Sequence, residues 1–207
     1  MENLNIYESI AERTQGSVYM GVVGPVRTGK STFIKRFMDL MVLPNMGNTY
    51  EKERLRDELP QSGSGRTITT TEPKFVPAEA AELSLPGNLR FKVRLVDCVG
   101  YMVPGALGHM EEGKPRMVNT PWNEERIPFE EAAETGTRKV IADHSTIGIL
   151  VTTDGSIGDI SREEYLPAEE RVVRELSQQG KPCLLYTSSK FLVFIQNCLL
   201  PSRENPR

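Results

Sequence analysis

Apolar positions fall in short runs between glycines and in longer stretches at helical spacing. Residues 17–23 (SVYMGVV) and 147–153 (IGILVTT) are compact apolar runs, which predict buried strands. Residues 89–97 (LRFKVRLVD) alternate, with Phe91, Val93 and Leu95 set against Lys92 and Arg94. That period of two predicts a strand ending at Asp97. Residues 74–85 form the strand before it. The short link Pro86, Gly87, Asn88 predicts an antiparallel hairpin.

Helical spacing appears in residues 30–42, where Phe33, Ile34, Phe37, Leu40 and Met41 share a face and Pro44 lies just beyond. Residues 163–179 predict a charged amphipathic helix closed by Gly180, and residues 130–144 a helix interrupted by Gly136. Residues 51–59 (EKERLRDEL) predict a solvated helix, and residues 4–14 a short one. From 100 to 129 the chain is rich in glycine, proline and charge. It reads as a long loop of the kind that is often functional. Strands alternating with helices predict an α/β fold with a mainly parallel sheet and one antiparallel edge strand.

Composition changes this picture little. The 207 residues are 38% hydrophobic and 26% charged, enough to build a core. A net charge of −3 argues against nonspecific nucleic-acid binding, which needs a basic footprint. The three cysteines, Cys98, Cys183 and Cys198, lack metal-ligand spacing, and with a polar N-terminus they suit a reducing cytoplasm. No apolar run approaches the roughly 20 residues that span a bilayer. His109 and His144 are far apart, which suits surface or capping roles. Trp122 stands as an anchor for the polar insert.

The chemistry begins at Gly24, Pro25, Val26, Arg27, Thr28, Gly29, Lys30, Ser31, a full match to G-x-x-x-x-G-K-[ST] between a buried strand and an amphipathic helix. The glycines let backbone N–H groups curl into an anion nest, and the helix N-terminus adds positive potential there. Lys30 would meet the β- and γ-phosphates, Ser31 would ligate Mg²⁺, and Thr32 follows in the first turn. Asp97 ends a strand at the same carboxyl edge of the sheet and is the expected second Mg²⁺-side group. Asp97 to Gly100 reads D-x-x-G, and the Gly100 N–H is expected to contact a γ-phosphate. Between loop and acid lies GRTITTTEP, whose Thr70 and Thr71 stand nearest the next strand. Either can be the threonine that senses the γ-phosphate and its Mg²⁺. Arg66 and Arg27 are rival candidates for an arginine finger in cis. Tyr101 replaces the glutamine that would orient water, so hydrolysis should be slow unaided, on the order of 10⁻⁴ to 10⁻² s⁻¹.

GVVGPVRTGKSTFIKRFM, TITTTEPKFVPAEA and VRLVDCVGYMVPGA together closely resemble the stage IV sporulation protein A family of endospore-forming bacteria, over roughly residues 1–182. The resemblance implies a P-loop NTPase domain of the translation-factor GTPase class that uses ATP and Mg²⁺. It implies slow hydrolysis coupled to self-assembly into filaments, which form the basement layer of the spore coat. That layer lies in the mother-cell cytoplasm on the outer forespore membrane, tethered by stage V sporulation protein M and carrying other coat proteins. Lys30, Thr70, Thr71 and Asp97 would be catalytic, and Ser31, Thr70, Thr71 and Asp97 would face the metal.

The family chain is more than twice as long, so its middle and C-terminal domains are expected to be absent. Residues 183–207 (CLLYTSSKFLVFIQNCLLPSRENPR) depart from the family. They read as the kind of tail a truncation or frameshift leaves, with a divergent strand and loop as the alternative. N-K-x-D, the guanine-reading motif, occurs nowhere in the chain. That absence fits ATP use, although truncation would produce it too. A GTP-dependent switch and a nucleotide-binding scaffold without turnover remain the competing readings.

Overall fold

Strand β1 (Ser17–Val23) runs through the middle of a six-stranded sheet in the computed structural model, which describes residues 16–60, 71–85, 89–189 and 194–197. It pairs in parallel with β3 (Leu89–Asp97) on one side and with β8 (Ile147–Thr153) on the other. The register sets Val22 opposite both Asp97 and Ile149. Beyond β8 lies β9 (Cys183–Ser188), also parallel. Beyond β3 lies β2 (Lys74–Leu85), antiparallel as the short link at 86–88 predicts.

One expectation changes at the far edge. Residues 183–188, read as a truncation tail or a divergent strand and loop, pair with β8 from Gly148 to Thr153. A second antiparallel strand, β10 (Phe194–Asn197), then pairs with β9. Too few residues separate Ser188 from Phe194 for the crossover of a dozen or so that a parallel partner needs. The sheet therefore has an antiparallel strand at each edge.

Period-two alternation along the central strands builds two cores. Val23, Val96 and Leu150 face one, with Val140 and Ile141 of α3 (Phe129–Ala142) and Val172 and Leu176 of α4 (Arg162–Gln178). Val22, Leu95 and Val151 face the other, with Ile34 of α1 (Lys30–Phe37) and Leu55 of α2 (Thr49–Glu58). Helices on both faces explain why β1 and β8 read as unbroken apolar runs. Asn48 caps α2, its side-chain oxygen accepting from the N–H groups of Tyr50 (3.0 Å) and Glu51 (3.4 Å).

The expected helix over 30–42 is not uniform. After Phe37 it widens into a π turn, Met38–Val42, and closes with a 3₁₀ turn, Leu43–Asn45. Ile34, Met38 and Val42 are buried at a spacing of four, while Leu40 is 72% and Met41 55% exposed. The wider turn keeps every fourth residue on the core face and swings Leu40 and Met41 to solvent.

The polar insert contains two small hairpins, β4 (Met110–Glu111) with β5 (Lys114–Pro115) and β6 (Met117–Thr120) with β7 (Asn123–Pro128). Trp122 sits in the turn of the second, its ring centroid 5.7 Å from the Lys139 ammonium of α3. His144 packs edge-on against Phe75. Among the described residues no helix is long and apolar enough to cross a membrane.

Candidate nucleotide site

The chain leaves β1 at the carboxyl edge of the sheet and turns at Gly24, where a Cβ would lie 2.3 Å from the Val151 carbonyl oxygen. The loop then extends the β1–β3 pairing. Tyr101 N–H donates to Gly24 O (3.2 Å), and Val26 N–H donates to Tyr101 O (2.9 Å). The Thr28 hydroxyl donates to Pro25 O (3.0 Å). Gly29, at φ 89°, precedes α1, whose first bond runs from Phe33 N–H to Gly29 O (2.8 Å). The first-turn N–H groups have no intrahelical acceptor and face back over the loop. No acidic side chain occupies that first turn, so its positive potential stays available.

Lys30 and Ser31 enter the same space. The Lys30 ammonium is buried and donates to Pro25 O at 2.5 Å. Burial holds its pKa below the ordinary lysine value, against the opposing pull of Cys98 and Asp97. The Ser31 hydroxyl donates to Asp97 Oδ2 at 2.6 Å. Asp97 Oδ1 is sealed from solvent with no hydrogen-bond partner among the described residues. Burial raises the Asp97 pKa, opposed by the Ser31 hydrogen bond and the Lys30 charge. Burial also pushes the Cys98 thiol up to about 11, which leaves it a packed thiol rather than a nucleophile.

An orphaned, buried carboxylate oxygen beside a serine hydroxyl is a costly arrangement unless a ligand meets it. It fits a magnesium ion, which takes hard oxygen donors and is usually held by one or two carboxylates plus phosphate oxygens. Among the described residues no group of three His, Cys, Asp or Glu could hold a metal, and such a magnesium site needs none.

The other expected residues distribute as follows. Arg27 (φ 61°) and Thr32 are exposed on the rim. Thr71 is buried at 6% exposure, three residues before Lys74, which pairs with Asp97 across β2 and β3. At about 3.3 Å per residue, Thr71 stands on the order of 10 Å along the chain from that register. Thr70 and Arg66 lie outside the described residues. The Gly100 N–H donates to Thr137 Oγ1 of α3 (3.2 Å).

Tyr101 turns its buried ring toward α4. Its hydroxyl donates to Glu175, and the Arg171 guanidinium lies 4.1 Å from the ring centroid. Arg171 also binds both carboxylate oxygens of Glu134 in α3 (2.8 and 2.9 Å). Sequence reasoning missed Thr137 and this clamp. Gly136, an oddity inside a helix, was the one signal that α3 meets another backbone there.

A glycine loop pinned at the carboxyl edge of a mostly parallel sheet, closing onto a helix that opens with Lys30 and Ser31, makes this a P-loop-like α/β domain. The chain belongs to the stage IV sporulation protein A family: the family model described as "Stage IV sporulation protein A, ATPase domain" matches residues 1–194. It is similar to stage IV sporulation protein A of Bacillus subtilis (strain 168), 60% identical over 189 residues, covering 91% of this chain and 38% of that protein. It is 61% identical over 185 residues to the Bacillus anthracis protein, covering 89% and 38% of the two chains. The Clostridioides difficile (strain 630) protein is 61% identical over 180 residues, covering 87% and 37%. The chain thus spans well under half the length of these relatives.

Proposed function

We propose that this chain is the nucleotide-hydrolysing part of a self-assembling scaffold, with ATP and Mg²⁺ as its ligands. The observation that carries this reading is the Ser31 Oγ to Asp97 Oδ2 contact of 2.6 Å, with Asp97 Oδ1 left buried and unpaired beside a buried Lys30. A bound magnesium ion would neutralise charge developing on the transferred phosphoryl group. Ser31 and Asp97 would hold it, Lys30 would contact the β- and γ-phosphates, and the loop amides from Gly24 to Gly29 would cradle them. Thr70 or Thr71 would complete the site from the segment before β2, with Thr32 in the first turn and Gly100 facing the γ-phosphate once nucleotide is bound. The translation-factor GTPase class is supported by the direct pairing of β1 with the strand that carries Asp97 and by the antiparallel strand beyond it.

Family membership supports a role in the basement layer of the spore coat, built from filaments of this protein in the mother cell. Tethering to the forespore membrane would pass through stage V sporulation protein M, and other coat proteins would attach to the layer. On this reading residues 1–182 carry the ATPase and the remaining family domains carry much of the partner contact.

A nucleotide-binding scaffold without turnover is the second reading, favoured by Tyr101. The residue in the water-orienting position is clamped against α4 by Arg171 and Glu175. Phosphate release from ATP and from GTP with Mg²⁺ separates the readings, using the full chain, Lys30→Ala and the paired Thr70→Ala/Thr71→Ala. Slow turnover of ATP alone, lost in both variants, is the expected result. GTP preference would mean a switch protein, and no turnover with either would leave the scaffold.

A further inference from the structure

One turn of α3 touches both the turn at Gly100, which packs on Lys30, and the segment at Thr71. Thr137, with no exposed surface, donates its hydroxyl proton to Ala133 O (2.8 Å) and accepts from Gly100 N–H (3.2 Å). The bond to Ala133 fixes the rotor, so a lone pair of the same oxygen points at Gly100. One residue earlier, a Cβ on Gly136 would stand 2.6 Å from the Thr71 carbonyl oxygen and 3.7 Å from Pro73 Cδ. Backbone meets helix there with no room for a methyl group. This explains a glycine that costs its helix about 1 kcal/mol relative to alanine. The Gly100 turn is equally confined, with a would-be Cβ 2.2 Å from Gly24 O.

We propose that Thr137 is a positioning residue that competes with a γ-phosphate oxygen for the Gly100 amide, and that Gly136 seats the Thr71 segment on the same helical turn so that the two segments respond together. This rests on the reading that the site binds a nucleoside triphosphate. The Gly100 N–H can serve one acceptor well. A charged phosphate oxygen makes the stronger bond, because charge-assisted hydrogen bonds are roughly twice as strong as neutral ones. Binding a triphosphate therefore includes breaking the bond to Thr137, whereas a diphosphate leaves it in place. The hydroxyl sets a threshold that discriminates ATP from ADP, and α3 relays the exchange to Thr71.

The test uses the full chain with Thr137→Val, which keeps the shape and removes the acceptor, and Thr137→Ser, which keeps the hydroxyl. Hydrogen exchange at the Gly100 amide without nucleotide should quicken in Thr137→Val and stay near wild type in Thr137→Ser. Affinity for a non-hydrolysable ATP analogue with Mg²⁺ should rise about 2- to 10-fold in Thr137→Val, the worth of one neutral hydrogen bond, with ADP affinity unchanged. Thr137→Ser should match wild type for both ligands. Gly136→Ala, which pushes the Thr71 segment off the helix, should weaken the ATP analogue and spare ADP.

Unchanged exchange at Gly100 in Thr137→Val would overturn the proposal whatever the ligand results. Equal shifts for the ATP analogue and ADP would reduce Thr137 to packing and overturn the exchange step. Failure of the wild type to bind either nucleotide would overturn the reading of the site and the exchange step with it, while amide exchange would still decide whether Thr137 holds Gly100.

Discussion

A Cβ on Gly100 would stand 2.6 Å from the Lys30 ammonium. The turn after Asp97 packs so tightly on the phosphate loop that a single methyl group would displace the lysine. Gly100 also sits at φ +97°, where side chains are strained, and a would-be Cβ lies 2.2 Å from Gly24 O. Gly100→Ala should cost about 1–3 kcal/mol from the backbone alone. That lowers Tm by several degrees for a domain of this size. Nucleotide binding should fall further than stability does. Thermal unfolding and a nucleotide titration on the same sample check both; native-like binding would mean the turn can move away from Lys30 without penalty.

Tyr101 divides its side chain between packing and a hydrogen bond. Tyr101→Phe loses the bond to Glu175, which keeps Arg171 as a partner at 3.1 Å, so a loss of about 1 kcal/mol is expected. Tyr101→Gln removes a ring that is 1% exposed and should cost about 3 kcal/mol. It should not quicken hydrolysis, because position 101 aims its side chain at α4. Steady-state phosphate release compared with wild type is the measurement, and a faster Tyr101→Gln would show that the residue can swing to the nucleotide.

Arg171 ties α3 to α4 through Glu134 and pairs with Glu175 one turn along α4. Its hydrogen bonds to Glu134 hold that carboxyl below the ordinary value of 4.5. A folded-state pKa below the unfolded one means the stabilisation is fully present above the unfolded value and lost as pH falls through the folded one. Arg171→Ala should therefore cost about 1–2 kcal/mol near neutral pH for this part-exposed pair. The gap from wild type should narrow once the pH drops below the glutamate range. Urea midpoints at the two pH values report it, and a gap independent of pH would assign the loss to packing over Tyr101.

Glu169 is buried and accepts from both terminal guanidinium nitrogens of Arg162 at 2.6 Å and from the Thr152 hydroxyl. Glu169→Ala leaves these donors facing a hole and should cost about 3 kcal/mol, the low end for a broken buried pair because Arg162 is a third exposed. Glu169→Gln, which keeps the oxygen that Thr152 uses, should cost less. A Glu169→Gln midpoint equal to wild type in chemical denaturation would mean the pair carries no charge-dependent stability.

The site was legible where sequence and space coincide. Gly24 to Ser31 is a local motif, and Asp97 was placed at the same carboxyl edge of the sheet because it ends an apolar strand. The hairpin of β2 and β3 followed from a link too short for anything else. Residues 30–42 were harder, since apolar spacing cannot tell a uniform helix from one that widens at Met38. The second antiparallel edge was not legible in residues 183–197, although the short stretch between Ser188 and Phe194 excludes a parallel partner.

What the sequence determined by itself was therefore the short-range part: the buried strands, the phosphate loop and the alternation that calls for helices on both faces. Each depends on residues within a few positions of one another, where periodicity and turn chemistry act. Only the tertiary structure decided the partners across long separations. Thr137 takes the Gly100 amide across 37 positions, Tyr101 meets Glu175 across 74, and Gly136 meets the Thr71 backbone. A hydroxyl or a glycine inside a helix carries no sign of what it will face. Its partner is set by how α3 and α4 pack on the sheet, and that packing is fixed by the summed burial of two cores rather than by any local run of residues.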